Sequence, residues 1–293
     1  MGHAATVVAL EMMKQRTRAE VERRLRGELL EELLGGGLQD PEAVQRRAAY
    51  LGYNLTTPHA LLFVTEGPAD ASLPRTTAAE DGWSLAEACE GLAARMRPGS
   101  MALARPDGVV VALPLLEGTT EEGRGVAEAL RNSAAGVMGG RMLVALGRIC
   151  RSPEDFAVSV AEARRAIALA RSLGTTDRVI VFEDLGVYRL LLDLPHPTDA
   201  VRFADELLGP LRAYDRRHDA SLVATLEAYL AENGVQARAA AALSVHVNTL
   251  AYRLQQIREL TGADLQDGDA RLGLHLAVKI RQVVSAILGD DPQ

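Results

Sequence analysis

The segment from Arg238 to Leu254 carries small and apolar residues at the positions where two helices crossing at a sharp angle have to touch. Ala240 lies at the expected crossing point, and a short turn follows at residues 244–246. The residues that would form the shared core are Leu243, Val245, Leu250 and Leu254. This spacing predicts a helix-turn-helix, a motif whose second helix enters the major groove of DNA. The same spacing also fits an ordinary helical hairpin, so spacing alone leaves both interpretations open.

The second predicted helix exposes its polar side chains near its amino end, which is the end that enters a major groove. Asn248 is the candidate for reading an adenine edge through its amide, and Thr249 for bonding a phosphate or its own helix backbone. His246 either caps the helix or contacts DNA, and Val247 can meet a thymine methyl group. The full set of predicted DNA-binding residues is Arg238, Ser244, His246, Val247, Asn248, Thr249, Tyr252 and Arg253.

Two residues further along this helix have roles outside base reading. Tyr252 can reach a phosphate with its hydroxyl group. Arg253, one position round the helix, either contacts a phosphate or pairs with an acid such as Glu227 and holds the domain together.

The acidic charge of the chain sets a condition on any DNA partner. The formal net charge is −7, and the residues from Asp219 onward include six basic and nine acidic side chains, a net −3. Since phosphate contacts dominate affinity for DNA, one copy of this region should bind weakly. We therefore predict a homodimer that binds double-stranded DNA at a two-part site. Asp215 to His218, just upstream, either adds positive charge beside the DNA or forms a solvated helix end.

An amphipathic helix is predicted near the amino end. Val21, Leu25, Leu29 and Leu33 recur every four residues, charged residues fill the other positions, and Gly35 to Gly37 end the helix. The apolar stripe needs a cover. It either packs on the central part of its own chain or pairs with the same helix of a second copy.

Between Pro58 and Leu192 the pattern changes to alternating strands and helices. Short apolar or β-branched runs predict strands at Ala60–Thr65, Ser100–Ala104, Val109–Leu113, Met142–Gly147 and Val179–Phe182. Helical spacing predicts helices at Leu85–Met96, Glu121–Ser133 and Pro153–Leu173. We therefore expect a single sheet with helices packed on it, which makes the whole chain α+β.

A linker is predicted at Pro195 to Thr198, because a proline on each side of His196 stops helix continuation. A connecting helix should follow from Asp199 to His218. Pro210 is expected to break or kink that helix and so to form a hinge.

Three stretches in the last quarter of the chain resemble the carboxy-terminal DNA-binding domain of the PucR/CdaR family of bacterial transcription regulators: Thr225–Leu230, Val245–Leu254 and Leu260–Leu265. Upstream, Glu22–Leu34, Arg47–Leu55 and Ser159–Ala166 are similar to the family's first helix and its GGDEF-like domain. The resemblance implies a mixed central sheet and four segments. These are a connecting or dimerisation helix at 1–37, a GGDEF-like regulatory domain at 38–194, a linker and helix at 195–220, and the helix-turn-helix domain at 221–293.

No run of the sequence approaches the roughly 18 apolar residues needed to span a bilayer, and its first residues lack the pattern of a secretory signal, so we expect a cytoplasmic protein with no membrane partner. The resemblance further implies a regulator that responds to a sensor or a small-molecule effector. The family usually has Arg at the position of Val247 and often a basic residue at the position of Ala251, so this recognition face is unusually apolar. A non-enzymatic ligand-sensing or protein-interaction module with weakened DNA binding is the alternative.

No catalytic constellation is predicted. The family's GGDEF-like fold resembles a nucleotide cyclase, but Gly139 and Gly140 precede Arg141 and Met142 where a cyclase needs metal-binding acids, so we expect a plain turn there. The six histidines are scattered, and the two cysteines lack a CxxC partner. We therefore expect no cofactor, no metal site, no catalytic residue and buried free thiols.

Overall fold

The computed structural model describes residues 24–67, 84–194 and 197–288 of the 293-residue chain. The chain divides into two compact units, one ending at Leu185 and one beginning at Gly186. Val21 of the predicted amino-terminal stripe and Pro195 and His196 of the predicted linker lie outside the described residues. Over the described part of the chain, no helix combines the length and apolarity needed to cross a lipid bilayer.

The amino-terminal unit is built on a five-stranded mixed sheet in the order β2-β3-β1-β4-β5. Its strands are β1 (His59–Glu66), β2 (Met101–Arg105), β3 (Gly108–Pro114), β4 (Met142–Leu146) and β5 (Arg178–Val181). All neighbouring pairs are antiparallel except β4 and β5, which are parallel. β4 is buried along its whole length and β1 along all but its last residue, as expected for central strands covered by helices. The five predicted strands and the mixed sheet are confirmed.

Helices surround this sheet. They are α1 (described from 24 to 35), α2 (Pro41–Tyr50), α3 (Leu85–Met96), α4 (Thr120–Met138) and α5 (Asp155–Ser172), and a short 3-10 helix spans Phe182–Leu185. Local caps determine several of the starts. Ser84 and Glu87 form a reciprocal capping box at α3, and the Thr119 side chain accepts from Glu122 N at α4.

Part of the apolar stripe of α1 is covered within its own chain, whereas Leu25 of the stripe is 40% exposed. Leu29, Leu30 and Leu33 are at most 1% exposed, and Glu31 of α1 pairs with Arg105 of β2 at 3.1 Å. Of the two covers left open by the sequence, the structure has the intrachain one for these three leucines. The homodimer stays a prediction.

In the carboxy-terminal unit, all the regular secondary structure of the described residues is helical. Its helices are α6 (Val187–Leu192), α7 (Pro197–His218), α8 (Leu222–Ala231), α9 (Gln236–Ala242), α10 (Val247–Thr261) and α11 (Gly268–Leu288). α6 packs on α11, where Lys279 Nζ donates to the Tyr188 hydroxyl at 2.7 Å. One apolar core joins the unit, and α7 contributes Ala204, Leu208 and Leu211 to it.

Of the break or kink predicted at Pro210, the break is wrong, because α7 runs through this position as one helix. Leu208 and Leu211 flank the proline and are at most 2% exposed, while Pro210 itself is on the exposed side. Packing of the buried face therefore compensates for the backbone hydrogen bond that a proline removes.

Candidate nucleic-acid interface

α9 and α10 pack as a helix-turn-helix, with small residues at their contact. Ala239 and Ala240 of α9 are at most 1% exposed, and the start of α10 buries Leu250. Leu243 and Val245 in the turn are partly buried against the same core. The helical pair and its predicted core are confirmed.

The turn between the two helices depends on one residue with left-handed backbone geometry. Ser244 has φ +55°, a conformation that favours glycine, and its N–H donates to Ala241 O at 3.1 Å. The next residue, Val245, donates from its N–H to Ala240 O at 3.0 Å. These two bonds end α9 and turn the chain, so Ser244 has a structural role in addition to its predicted contact with DNA.

Four of the predicted DNA-binding side chains are exposed near the amino end of α10. Asn248 and Thr249 are exposed, as are Val247 and Tyr252, with 40% and 62% of their surfaces accessible. Leu250, Leu254 and Ile257 of the same helix are buried in the core of the unit. The structure thus leaves these four predicted DNA-binding residues exposed within the first two turns of α10.

His246 is the amino-terminal cap of α10. Its Nδ1 accepts a hydrogen bond from Asn248 N at 3.2 Å, and its backbone is extended. Of the two roles that the sequence left open for His246, the structure confirms capping. The cap satisfies one of the N–H groups that a helix start leaves without a partner inside the helix.

Tyr252 belongs to a polar chain that links α10 to α7. Gln256 Nε2 donates to the Tyr252 hydroxyl at 3.1 Å and to the Tyr214 hydroxyl of α7 at 2.8 Å. Because the Tyr252 oxygen acts as an acceptor here, its own proton remains available to a further acceptor. Sequence reasoning missed Gln256 and Tyr214. The four-residue spacing of Tyr252 and Gln256 was a usable signal, whereas nothing in the local pattern points to Tyr214.

Two predicted DNA-binding residues already have protein partners. Arg253 is half-buried, and its Nη1 donates to Thr225 Oγ1 of α8 at 3.4 Å. Arg238 is exposed, and its Nε lies 3.3 Å from Glu232 Oε2. Arg253 thus has a protein partner, Thr225, where the sequence suggested Glu227, and its contact with a phosphate stays a prediction.

Glu227 sits on α8 in a partly buried position. Burial raises the pKa of its carboxyl group above the usual 4.5, since removal from water disfavours the charged form. No counter-charge contributes to this shift, which agrees with Arg253 bonding elsewhere.

The turn after α4 in the other unit shows why the cyclase-like glycines are ordinary here. Gly139 is the left-handed cap of α4, and its N–H donates to Ala135 O at 2.9 Å. Gly140 and Arg141 follow, and β4 begins at Met142. Among the described residues, no group of three or more His, Cys, Asp or Glu side chains is placed to hold a metal ion. Cys89 and Cys150 are buried free thiols, as predicted.

Comparison with known families matches both units. Residues 34–169 match the GGDEF-like domain, and residues 222–280 match the PucR C-terminal helix-turn-helix domain. The second match covers α8, α9 and α10 and most of α11. The exposed amino end of α10 therefore lies inside the matched domain.

Curated relatives carry regulator names. The proline-responsive transcriptional activator PutR of Bacillus subtilis (strain 168) is 34% identical over 40% of this chain and 29% of its own length. The purine catabolism regulatory protein of the same organism is 31% identical over 48% of this chain and 26% of its own. The carbohydrate diacid regulator of Escherichia coli (strain K12) is 33% identical over 48% of this chain and 36% of its own.

The matches span about a quarter to a third of the length of these relatives. Within this chain, the GGDEF-like match comes before the helix-turn-helix match. The chain belongs to the PucR/CdaR family of transcription regulators.

Proposed function

We propose that this protein is a sequence-specific, DNA-binding transcription regulator that reads DNA with the exposed amino end of α10. The observation that supports this most directly is the division of α10 into two faces. Leu250, Leu254 and Ile257 hold the helix in the core, while Val247 to Thr249 are exposed. A recognition helix needs this arrangement, because its first turns must fit a major groove while its back stays packed.

Asn248 is the proposed base-reading residue of this surface. Its side chain is exposed on the first turn of α10, and an amide can donate and accept together at an adenine edge. Thr249 and the Tyr252 hydroxyl are proposed to contact phosphates and to position the helix. Val247 is proposed to meet a thymine methyl group.

The test compares Asn248→Ala with Gln255→Ala in the full chain. Gln255 is exposed on the same helix two turns further on, and its Nε2 donates to Glu259 Oε1 at 2.9 Å, which makes it a matched control. Affinity is measured by gel shift on the upstream region of the protein's own gene and on random DNA. Asn248→Ala should cost about 1–3 kcal/mol on the specific fragment and almost nothing on random DNA. Equal losses on both DNAs would remove the base-reading role.

We further propose a homodimer, supported by the net −3 charge of the region from Asp219 onward. Such a domain gains little binding affinity from phosphate contacts alone, whereas two copies bound to a two-part site add their contacts together. Mass measurement at micromolar concentration should show the dimer. A monomer that binds a palindromic site tightly contradicts this proposal.

The regulatory input is proposed to act through the amino-terminal unit, without catalysis. Gly139 and Gly140 form a helix end and turn with no acidic residue next to them, so the cyclase-like position lacks metal ligands. The relative PutR is named as proline-responsive. For the present protein, the proposed input is a small molecule or a sensor of its own.

A further inference from the structure

Most cations of the carboxy-terminal unit are already engaged with other protein groups. From residue 219 to 288, five of the six basic side chains have a protein partner within the described residues. They are Arg238 with Glu232, Arg253 with Thr225, Arg258 with Asp264, Lys279 with Tyr188 and Arg281 with Asp205. Arg271 is the sixth basic side chain of this range. A DNA-binding domain needs cations for phosphates, so their source must lie largely outside this range.

The last turn of α7 supplies two such cations. Arg216 and Arg217 are exposed, and neither forms an ion pair with any residue that the structure describes. The neighbouring Asp215 forms hydrogen bonds to the backbone instead: its carboxylate accepts from Leu222 N at 2.8 Å and from Val223 N at 3.0 Å at the start of α8.

Arg217 lies on the side of α7 that borders the recognition helix. Tyr214 marks that side, because its hydroxyl accepts from Gln256, which also bonds Tyr252. At 3.6 residues per turn, Arg217 is about 60° round the helix from Tyr214, whereas Arg216 is about 160° away. Two adjacent arginines with similar exposure therefore point to different sides of α7.

The end of α7 is ordered by its own contacts. The His218 ring stacks on the Tyr214 ring with centroids 4.1 Å apart, and its Nδ1 donates to Tyr214 O at 3.1 Å. Asp215 O accepts from Ala220 N at 3.2 Å. One of the four carbonyls that the helix end leaves unpaired, Asp215 O, is thus occupied, which weakens the repulsion that a helix carboxy terminus offers to an anion.

We propose that Arg217 binds a phosphate of the DNA backbone beside the site occupied by α10, next to a phosphate contacted by the Tyr252 hydroxyl. The inference rests on the proposed function, and it adds a contact from outside the helix-turn-helix. Arg217 fits because a guanidinium group presents several donors to phosphate oxygens. The contact carries no sequence information, so it raises affinity for all DNA alike.

The experiment measures the salt dependence of binding for the full chain. Arg217→Ala, Arg217→Lys and Arg216→Ala are each titrated with labelled duplexes of random sequence and of the gene's upstream region, at about 50 and about 200 mM KCl. Loss of one phosphate contact lowers the slope of log affinity against log salt by about 0.9, so the ratio of affinities at the two salts shrinks about 3.5-fold. Arg217→Ala should show this on both DNAs, and Arg217→Lys and Arg216→Ala should keep the original ratio.

The proposal is overturned if Arg217→Ala keeps the unmodified ratio, or if Arg216→Ala loses as much. Circular dichroism melting checks that the variants fold, and exposed arginines should leave Tm unchanged. If the unmodified chain binds both duplexes equally, sequence-specific function fails while the Arg217 contact can still be confirmed on either duplex. A chain that binds neither duplex overturns both proposals.

Discussion

Leu250 and Thr249 are neighbours in α10, and the structure buries the first and exposes the second, so they make a direct test of how the recognition helix is packed. Leu250 is 0% exposed and Thr249 is exposed. Leu250→Ala removes three carbons from the core, worth about 2.4 kcal/mol at about 0.8 kcal/mol per methylene, and the cavity left behind adds to this. We expect the free energy of unfolding to fall by about 3 kcal/mol. Thr249→Ala should change it by less than about 0.5 kcal/mol.

Hydrogen exchange followed by mass spectrometry reads this change in each unit separately. A loss of about 3 kcal/mol raises the opening constant of the carboxy-terminal unit roughly 150-fold, so amides of α10 that exchange by unfolding of that unit should exchange faster by this factor. Peptides from β1 (His59–Glu66) report on the other unit and should not change. If Leu250→Ala costs less than about 1 kcal/mol, or if Thr249→Ala costs as much, the assignment of the two faces of α10 is wrong.

Two further predictions concern buried titratable groups. Burial raises the folded-state pKa of Glu227 above 4.5, so the folded protein binds more protons than the unfolded chain, and stability should fall as pH rises from 4.5 through that pKa. Glu227→Gln should therefore be more stable than the unmodified protein at pH 7 and lose this advantage below about pH 4.5. Denaturant titrations that show a constant difference in stability across this pH range would refute the prediction. Burial raises the pKa of both the Cys89 and the Cys150 thiol to about 12, so a thiol reagent at pH 8 should label them only after unfolding, and rapid labelling of the native protein would contradict the structure.

Local sequence pattern predicted the elements whose cause is local. The strand at Met142–Leu146 is an apolar run between turn residues, and the predicted run ended only one residue later. The helix-turn-helix was predicted because small residues such as Ala240 are needed where two helices touch. His246 was identified as a possible cap because capping depends on one side chain and the next two residues.

Contacts between distant residues could not be predicted in the same way. The stripe of α1 shows that Leu29, Leu30 and Leu33 need a cover, but the pattern does not say whether the cover is this chain or a second one. The hydrogen bonds that link Tyr252, Gln256 and Tyr214 include one between Gln256 and Tyr214, which are 42 positions apart in the sequence. Pro210 was predicted to break or kink a helix because proline weakens an isolated one, whereas packing of α7 on the core keeps the helix continuous.

The central claim is that the amino end of α10 reads a DNA sequence, and the affinity ratio between specific and random DNA tests it most directly. Fluorescence anisotropy of the full chain is measured at 150 mM salt with fragments tiling the upstream region of its own gene, against random duplexes of equal length and base composition. Specific regulators bind their sites about 10³-fold tighter than random DNA, or more. We predict that at least one fragment reaches this ratio and that Asn248→Ala lowers it. Equal affinity for every fragment and for random DNA would contradict the account.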